Sequence, residues 1–232
     1  MYTNSEKFLT AFNRIEKILK TSMYQGPDIG FSKTVRALRD SNALIKRYSD
    51  DLLEFAELRN AIVHNKIDVT HAIAEPHNSI VARIEEIESE LTLPKKVTPL
   101  FSRSVYAFQE STLLEDLLVI INEKGLSKFP IYNDTEFLGL LTQKGIANWL
   151  AVADEPTAPS VKTTLVKEVL RYEDSDNAQF ISSDTLVYEA VGFFKEQISQ
   201  GRRLEAMLIT KNGKSSEKLF GIITAWDILE IP

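Results

Sequence analysis

Hydrophobic positions in the N-terminal part of the chain recur at steps of three and four, the spacing that puts side chains on one helix face. Phe8, Phe12, Ile15 and Leu19 form the first such stripe, and Thr3 with Glu6 has the spacing of a capping box at its start. Gln25-Gly26-Pro27-Asp28 reads as a turn. A second helix is expected from near Phe31 to around Tyr48, burying Val35, Leu38 and Ile45. Ser49 suits the cap of a third, which carries Leu52, Phe55, Leu58 and Ile62 and stops near Asn65-Lys66. Pro76 suits the first turn of a fourth, striped by Ile80, Ile84, Ile87 and Leu91. His71 falls in the loop before it and His77 in its first turn. Four amphipathic helices predict a small bundle.

The pattern changes at Leu93-Pro94-Lys95-Lys96-Val97-Thr98-Pro99, and short apolar runs then alternate with helical stripes. A strand at Ser104–Phe108 is followed by a helix from Ser111 or Thr112, with Leu114, Leu117, Leu118 and Ile121 on its apolar face. Phe129–Tyr132 and Glu136–Thr142 form a hairpin through Asn133-Asp134, and a helix runs on through Trp149. The same order returns. Ala178–Ile181, a helix over Thr185–Ser199, Ala206–Thr210, a turn at Lys211–Lys214, Lys218–Thr224 and a last helix make the second unit. Asp154–Ser160, with two prolines, links the two. The repeat is visible in the residues themselves: Gly139-Leu140-Leu141-Thr142 returns as Gly221-Ile222-Ile223-Thr224. Repetition of this kind fixes architecture more firmly than local propensity. The expected fold is α+β, with a helical bundle over 1–94 and two β-α-β-β-α units over 95–155 and 156–232.

Composition narrows the classes. A charged fraction of 26% and a hydrophobic fraction of 44% are ordinary for a globular protein. No apolar run approaches the ~20 residues that span a bilayer, and the first residues lack the layout of a signal peptide. The chain has no cysteine, which removes disulfides and thiolate metal sites. From these features a cytoplasmic location is expected, away from membranes. The net charge of −6 argues against general nucleic-acid binding, yet residues 1–50 carry nine Lys/Arg against five acids. Neither His71 nor His77 stands at a spacing from acids that makes a metal-ligand set, and no metal is expected.

Thr142 and Thr224 each sit where a strand passes into a helix, and the exposed N–H groups of such a turn can receive phosphate. The strand and helix order, the duplication and the ending Gly-hydrophobic-hydrophobic-Thr-x-x-Asp over 221–227 resemble a tandem cystathionine-β-synthase (CBS) pair, or Bateman module. Gly201-Arg202-Arg203-Leu204 also fits the family pattern. The resemblance covers about residues 95–232. It implies that Thr224 contacts a phosphate and that Asp227 holds the ribose hydroxyls of an adenine nucleotide (AMP, ADP, ATP or cyclic di-AMP). An ionised carboxylate, an acceptor-only group, suits a pair of hydroxyl donors. The backbone at Phe180 and Ile181 would meet the adenine, and Arg202 or Arg203 would reach phosphate. The first copy keeps Thr142 but has Gly145 in place of the acid, so Thr142 marks a weaker second site.

Arg59-Asn60-Ala61-Ile62-Val63-His64 in the third helix resembles the R-x4-6-H motif of HEPN domains, over about residues 1–92. HEPN domains are four-helix bundles, commonly dimeric, and many are metal-independent ribonucleases. The resemblance implies a homodimer and, for an enzyme, roles in RNA cleavage. His64 would transfer a proton at the 2′-hydroxyl, Arg59 would stabilise the phosphate charge, and Asn60 would orient His64 or the phosphate. Arg59 and His64 diverge on a regular helix, so a shared pocket requires the helix to end there or two copies to meet. The expected function is regulatory: an adenine nucleotide bound in the CBS pair, signalling through a helical dimerisation or effector domain. The alternative is a nucleotide-regulated endoribonuclease.

Overall fold

A computed structural model describes residues 3–23, 29–64, 75–152 and 160–229, with the His64 side chain left out. The turn at Gln25–Asp28, the helix stop at Asn65-Lys66, His71 and the linker before Ser160 lie outside the described residues. The chain divides into two units, Met1–Lys95 and Lys96–Pro232.

The N-terminal unit is helical: α1 (Asn4–Ser22), α2 (Phe31–Leu38), α3 (Ala43–Arg47), α4 (Ser49–His64) and α5 (Asn78–Thr92). The capping box forms at the head of α1, with the Thr3 hydroxyl accepting from the Glu6 N–H and Glu6 accepting from the Thr3 N–H. The single helix expected over Phe31–Tyr48 is two. Asn42 breaks it, because its side-chain oxygen accepts from the amides of Leu44 and Ile45 and so caps a new helix. The fourth stripe starts later than expected. His77 is the N-cap of α5, its Nδ1 accepting from the Ser79 amide, and buried Pro76 stands outside the helix. The apolar stripes meet as periodicity requires: Phe8, Ile15, Leu52, Ile84 and Ile87 are all fully buried. Phe8 and Phe55 pack edge to face at 5.7 Å. Around this core Arg83 holds Asp51 at 2.9 Å and lies 5.2 Å over the Tyr48 ring. The two carboxylates beside it, Asp51 and Glu86, hold its guanidinium firmly charged.

The C-terminal unit repeats one topology. Its first half comprises α6 (Val97–Leu100), β1 (Phe108–Gln109), α7 (Leu114–Lys124), β2 (Lys128–Asn133), β3 (Glu136–Thr142) and α8 (Gln143–Val152). The second comprises α9 (Val166–Leu170), β4 (Ala178–Ser182), α10 (Val187–Ser199), β5 (Ala206–Thr210), β6 (Gly221–Ile223) and α11 (Ala225–Leu229). Each half has a three-stranded sheet in which the first strand runs parallel to the second and the second antiparallel to the third. The short helices α6 and α9 depart from the expected order. The strand expected at Ser104–Phe108 shrinks to Phe108–Gln109, because the residues ahead of it are drawn elsewhere: Ser102 bridges to Gly221, and the Arg103 amide donates to the Phe220 carbonyl.

The halves exchange their lead-in helices. Val166 and Val169 of α9 are buried in the core of the first half with Phe129, Leu141 and Trp149. Val97 of α6 is buried in the core of the second half with Phe194, Met207 and Ile209. Between the two sheets lies a third cluster, Leu140, Ala206, Leu208 and Ile222, joined by Phe137 and Phe180. Alternate residues of β5 therefore face different cores, as the two-residue period of a strand dictates, and all five are buried. A strand covered on both faces reads as an unbroken apolar run.

Candidate functional site

The two Thr turns are capping structures first. Thr224-Ala225-Trp226-Asp227 has the spacing of a capping box. Asp227 Oδ2 accepts from the Thr224 amide at 2.6 Å and from the Thr224 hydroxyl at 2.7 Å. That much was legible in the sequence as Ser/Thr-x-x-acid. A further donor was not: Arg103 Nη2 reaches the same oxygen at 2.7 Å and the Ile222 carbonyl at 2.6 Å. Burial pushes the Asp227 carboxyl upward, but the bonds from Arg103 and Thr224 outweigh it and hold it below the ordinary carboxylate value.

At Thr142 the third residue of the turn is Gly145, and the missing acid is supplied from another segment. Glu173 Oε1 accepts from the Thr142 amide at 2.6 Å, the Thr142 hydroxyl at 2.7 Å and the Gly145 amide at 3.1 Å. The Thr contacts match those of Asp227 in kind and length. Its second oxygen accepts from buried Asn177, which also bonds the Leu140 carbonyl. A Cβ at Gly145 would stand 2.1 Å from Glu173 Oε1, so the glycine makes room for the substitute carboxylate. The first copy has lost its acid from the helix and regained one from the chain ahead of β4.

The glycines that open the motif have a related cause. A Cβ at Gly221 would come 2.1 Å from the Phe101 carbonyl oxygen, and one at Gly139 would come 3.1 Å from the Leu170 side chain. Each motif glycine is crossed by the lead-in segment of the opposite half.

This exchange decides which residues surround each turn. A cavity of about 260 Å³ opens beside Thr224 and Asp227, lined also by Arg103, Tyr106, Lys128 and Trp226. Lys128 is anchored 3.3 Å from Glu205. Phe180 and Ile181 are not among its lining residues. Phe180 packs on Phe137 at 4.9 Å between the sheets, and Ile181 lies against the core of the second half. Nor are Arg202 and Arg203, which pair with Gln200 and Glu205. Arg203 instead faces Asp174, whose carboxyl is lowered chiefly by the hydrogen bond from Lys144 in the first turn of α8 and further by the Arg203 charge. In the first half Gly125, with φ of 65°, ends α7, and the stretch after it, Leu126–Lys128, lines the cavity beside the second half's motif.

In the N-terminal unit the Arg59 guanidinium donates to the Asn60 side-chain oxygen at 3.1 Å near the end of α4. His64 is the last residue of that helix, and its side chain lies outside the described residues. Among the described residues no group of three His, Asp or Glu side chains converges as a metal site, and no helix is long and apolar enough to cross a membrane.

Two three-stranded sheets with exchanged lead-in helices define a pseudo-symmetric α+β module, and comparison with known proteins names its first half. The family described as CBS domain matches residues 97–152. No curated protein matches the chain. The C-terminal unit is similar to solved structures with CBS domains. One is a conserved CBS domain protein of unknown function from Thermoplasma acidophilum, at 17% identity over 60% of this chain and 70% of that one, with a TM-score of 0.45. Another is the CBS domain of a bacterial CNNM/CorC family Mg2+ transporter, at 18% identity over 64% of this chain and 81% of that one, with a TM-score of 0.43. A third is the CBS domains of a transcriptional regulator from Streptococcus pneumoniae, at 16% identity over 58% and 97%, with a TM-score of 0.41.

Proposed function

We propose that the protein is a regulatory adenine-nucleotide sensor whose ligand sits in the cavity beside Thr224 and Asp227. The observation that carries this reading is the composition of that cavity. It combines a carboxylate suited to hydroxyl donors, two cationic side chains at Arg103 and Lys128, and two exposed aromatic rings at Tyr106 and Trp226. AMP, ADP, ATP and cyclic di-AMP all carry these complementary parts. The helical unit, read as HEPN-like, is the dimerisation and output element, and binding acts by shifting its state in a cytoplasmic homodimer.

Tryptophan emission tests this directly. Trp149 is buried and Trp226 is 77% exposed, so a nucleotide entering the cavity changes the signal of Trp226. Titration with the four nucleotides is expected to give a saturable change, lost in Trp226→Phe, with binding by calorimetry weakened in Asp227→Asn. Silence of the wild-type protein to all four would sink the sensor reading.

A second reading adds catalysis. Arg59 and Asn60 are joined on α4 one turn before His64, and because that helix runs through His64 a shared pocket for RNA requires two copies to meet. An RNA cleavage assay with and without nucleotide decides it. Activity abolished by His64→Ala in a folded protein makes the chain a regulated ribonuclease, and no cleavage under any condition leaves the helical unit as an interaction module.

A further inference from the structure

Arg103 is tied to the cavity by more than its position on the wall. Its amide donates to the Phe220 carbonyl, Ser102 bridges to Gly221, and the guanidinium ends the strip by bonding both Ile222 O and Asp227 Oδ2. Gly221 permits the approach, since any Cβ there would meet the Phe101 carbonyl. The same Asp227 oxygen already accepts from the Thr224 amide and hydroxyl. A ligand diol that engages both carboxylate oxygens must therefore displace one of these three donors from Oδ2. The Thr224 amide belongs to the same tight turn as Asp227 and remains, while the Thr224 hydroxyl and the guanidinium are the donors free to turn towards phosphate. Arg103 comes from a distant segment, and its side chain is 44% exposed against 17% for Asp227, so it is the partner that water can solvate on release. Of the two, the guanidinium is the one that carries a positive charge to an anionic ligand group.

Once released, Arg103 stands in the same cavity as Lys128, with a fork of donors matched to phosphate oxygens. We propose that Arg103 is a two-position specificity residue. It holds Asp227 in the empty protein and transfers to the anionic group of the ligand when hydroxyls occupy Asp227, so that the site selects a phosphorylated nucleoside over the bare nucleoside. This rests on the reading of Asp227 as the hydroxyl acceptor. It replaces Arg202 and Arg203, which lie off this cavity, with an arginine that spacing along the chain does not single out.

The ratio of AMP to adenosine affinity isolates the idea. Calorimetry on the whole wild-type chain, Arg103→Gln, Arg103→Lys and Asp227→Asn, each checked for folding by thermal melting, measures both ligands. In Arg103→Gln, AMP affinity is expected to fall about tenfold, the scale of a lost charge-assisted bond, while adenosine affinity holds or rises because its competitor for Asp227 is gone. Arg103→Lys, which keeps the charge but not the fork, is expected to retain part of the preference. Asp227→Asn is expected to weaken both ligands alike. If Arg103→Gln weakens AMP and adenosine equally, Arg103 only supports the fold of the site and the proposal is overturned. Survival of the full preference for AMP in Arg103→Gln overturns it as well. Absence of binding of either ligand to the wild type removes the sensor reading itself, and the proposal with it.

Discussion

Gly145 is held to glycine by a neighbour and not by its own backbone. Replacing it with alanine drives a Cβ against Glu173 Oε1, and the Glu173 carboxylate, pinned by Thr142 on that oxygen and by Asn177 on the other, cannot easily retreat. Gly145→Ala is expected to cost about 1–3 kcal/mol in urea denaturation, the range for forced overpacking. Glu173→Ala in the same chain removes the clash, so the double variant is expected to lose less than the sum of the singles. Additive losses would show that the two residues do not meet. Asp227 makes a second prediction, in pH. Its folded pKa lies below the ordinary 3.8, so the clasp to Arg103 and Thr224 contributes stability that is complete above 3.8 and drains away as pH falls through the lower, folded value. The carboxyl resonance of Asp227, followed by NMR, is expected to titrate below 3.8 in the wild type and to move up towards it in Arg103→Gln. An unchanged titration would mean that the guanidinium does not bear on the carboxylate.

The exchanged helices α6 and α9 make each half of the C-terminal unit dependent on a segment that the chain order assigns to the other. Val97 is fully buried among Phe194, Met207 and Ile209 although more than eighty residues of chain separate it from them. Val97→Ala is expected to destabilise the unit by about 1–3 kcal/mol through the cavity it leaves. Native-state hydrogen exchange is expected to quicken first at β5 and β6, whereas Val169→Ala acts first on β2 and β3. Faster exchange in β2 on truncating Val97 would contradict the exchange of helices. The same device bears on the motif glycines: a borrowed segment crosses each strand there, at Gly221 too closely for a Cβ and at Gly139 in tight contact with the Leu170 side chain.

Across the whole molecule, the two Thr turns are unequal. The Thr142 turn is filled by Glu173, an internal carboxylate that consumes its donors, while the Thr224 turn opens on a cavity with charged and aromatic walls. Calorimetry is expected to give one nucleotide per chain, and two per chain would show that Glu173 gives way. Binding to the folded state alone raises its stability by about 2.7 kcal/mol at a ligand concentration a hundredfold above Kd. Thermal melting is therefore expected to show the unit that contains Asp227 moving upward while Asp227→Asn does not respond.

Periodicity alone delivered the helical stripes of the N-terminal unit and the strand order of the repeats, because these depend on residues within a turn or a strand of one another. It missed the break at Asn42, where a side chain competes with the backbone over two residues, and the shortening of β1, where a distant strand claimed the preceding segment. The loss of an acid at Gly145 was visible in the repeat, yet its replacement by Glu173 was not, and neither was the meeting of Arg103 with Asp227 across 124 positions. Those pairings follow from the crossing of two lead-in segments between the halves. Buried valines at the head of each half set that crossing, and their partners are fixed by packing in three dimensions rather than by spacing along the chain.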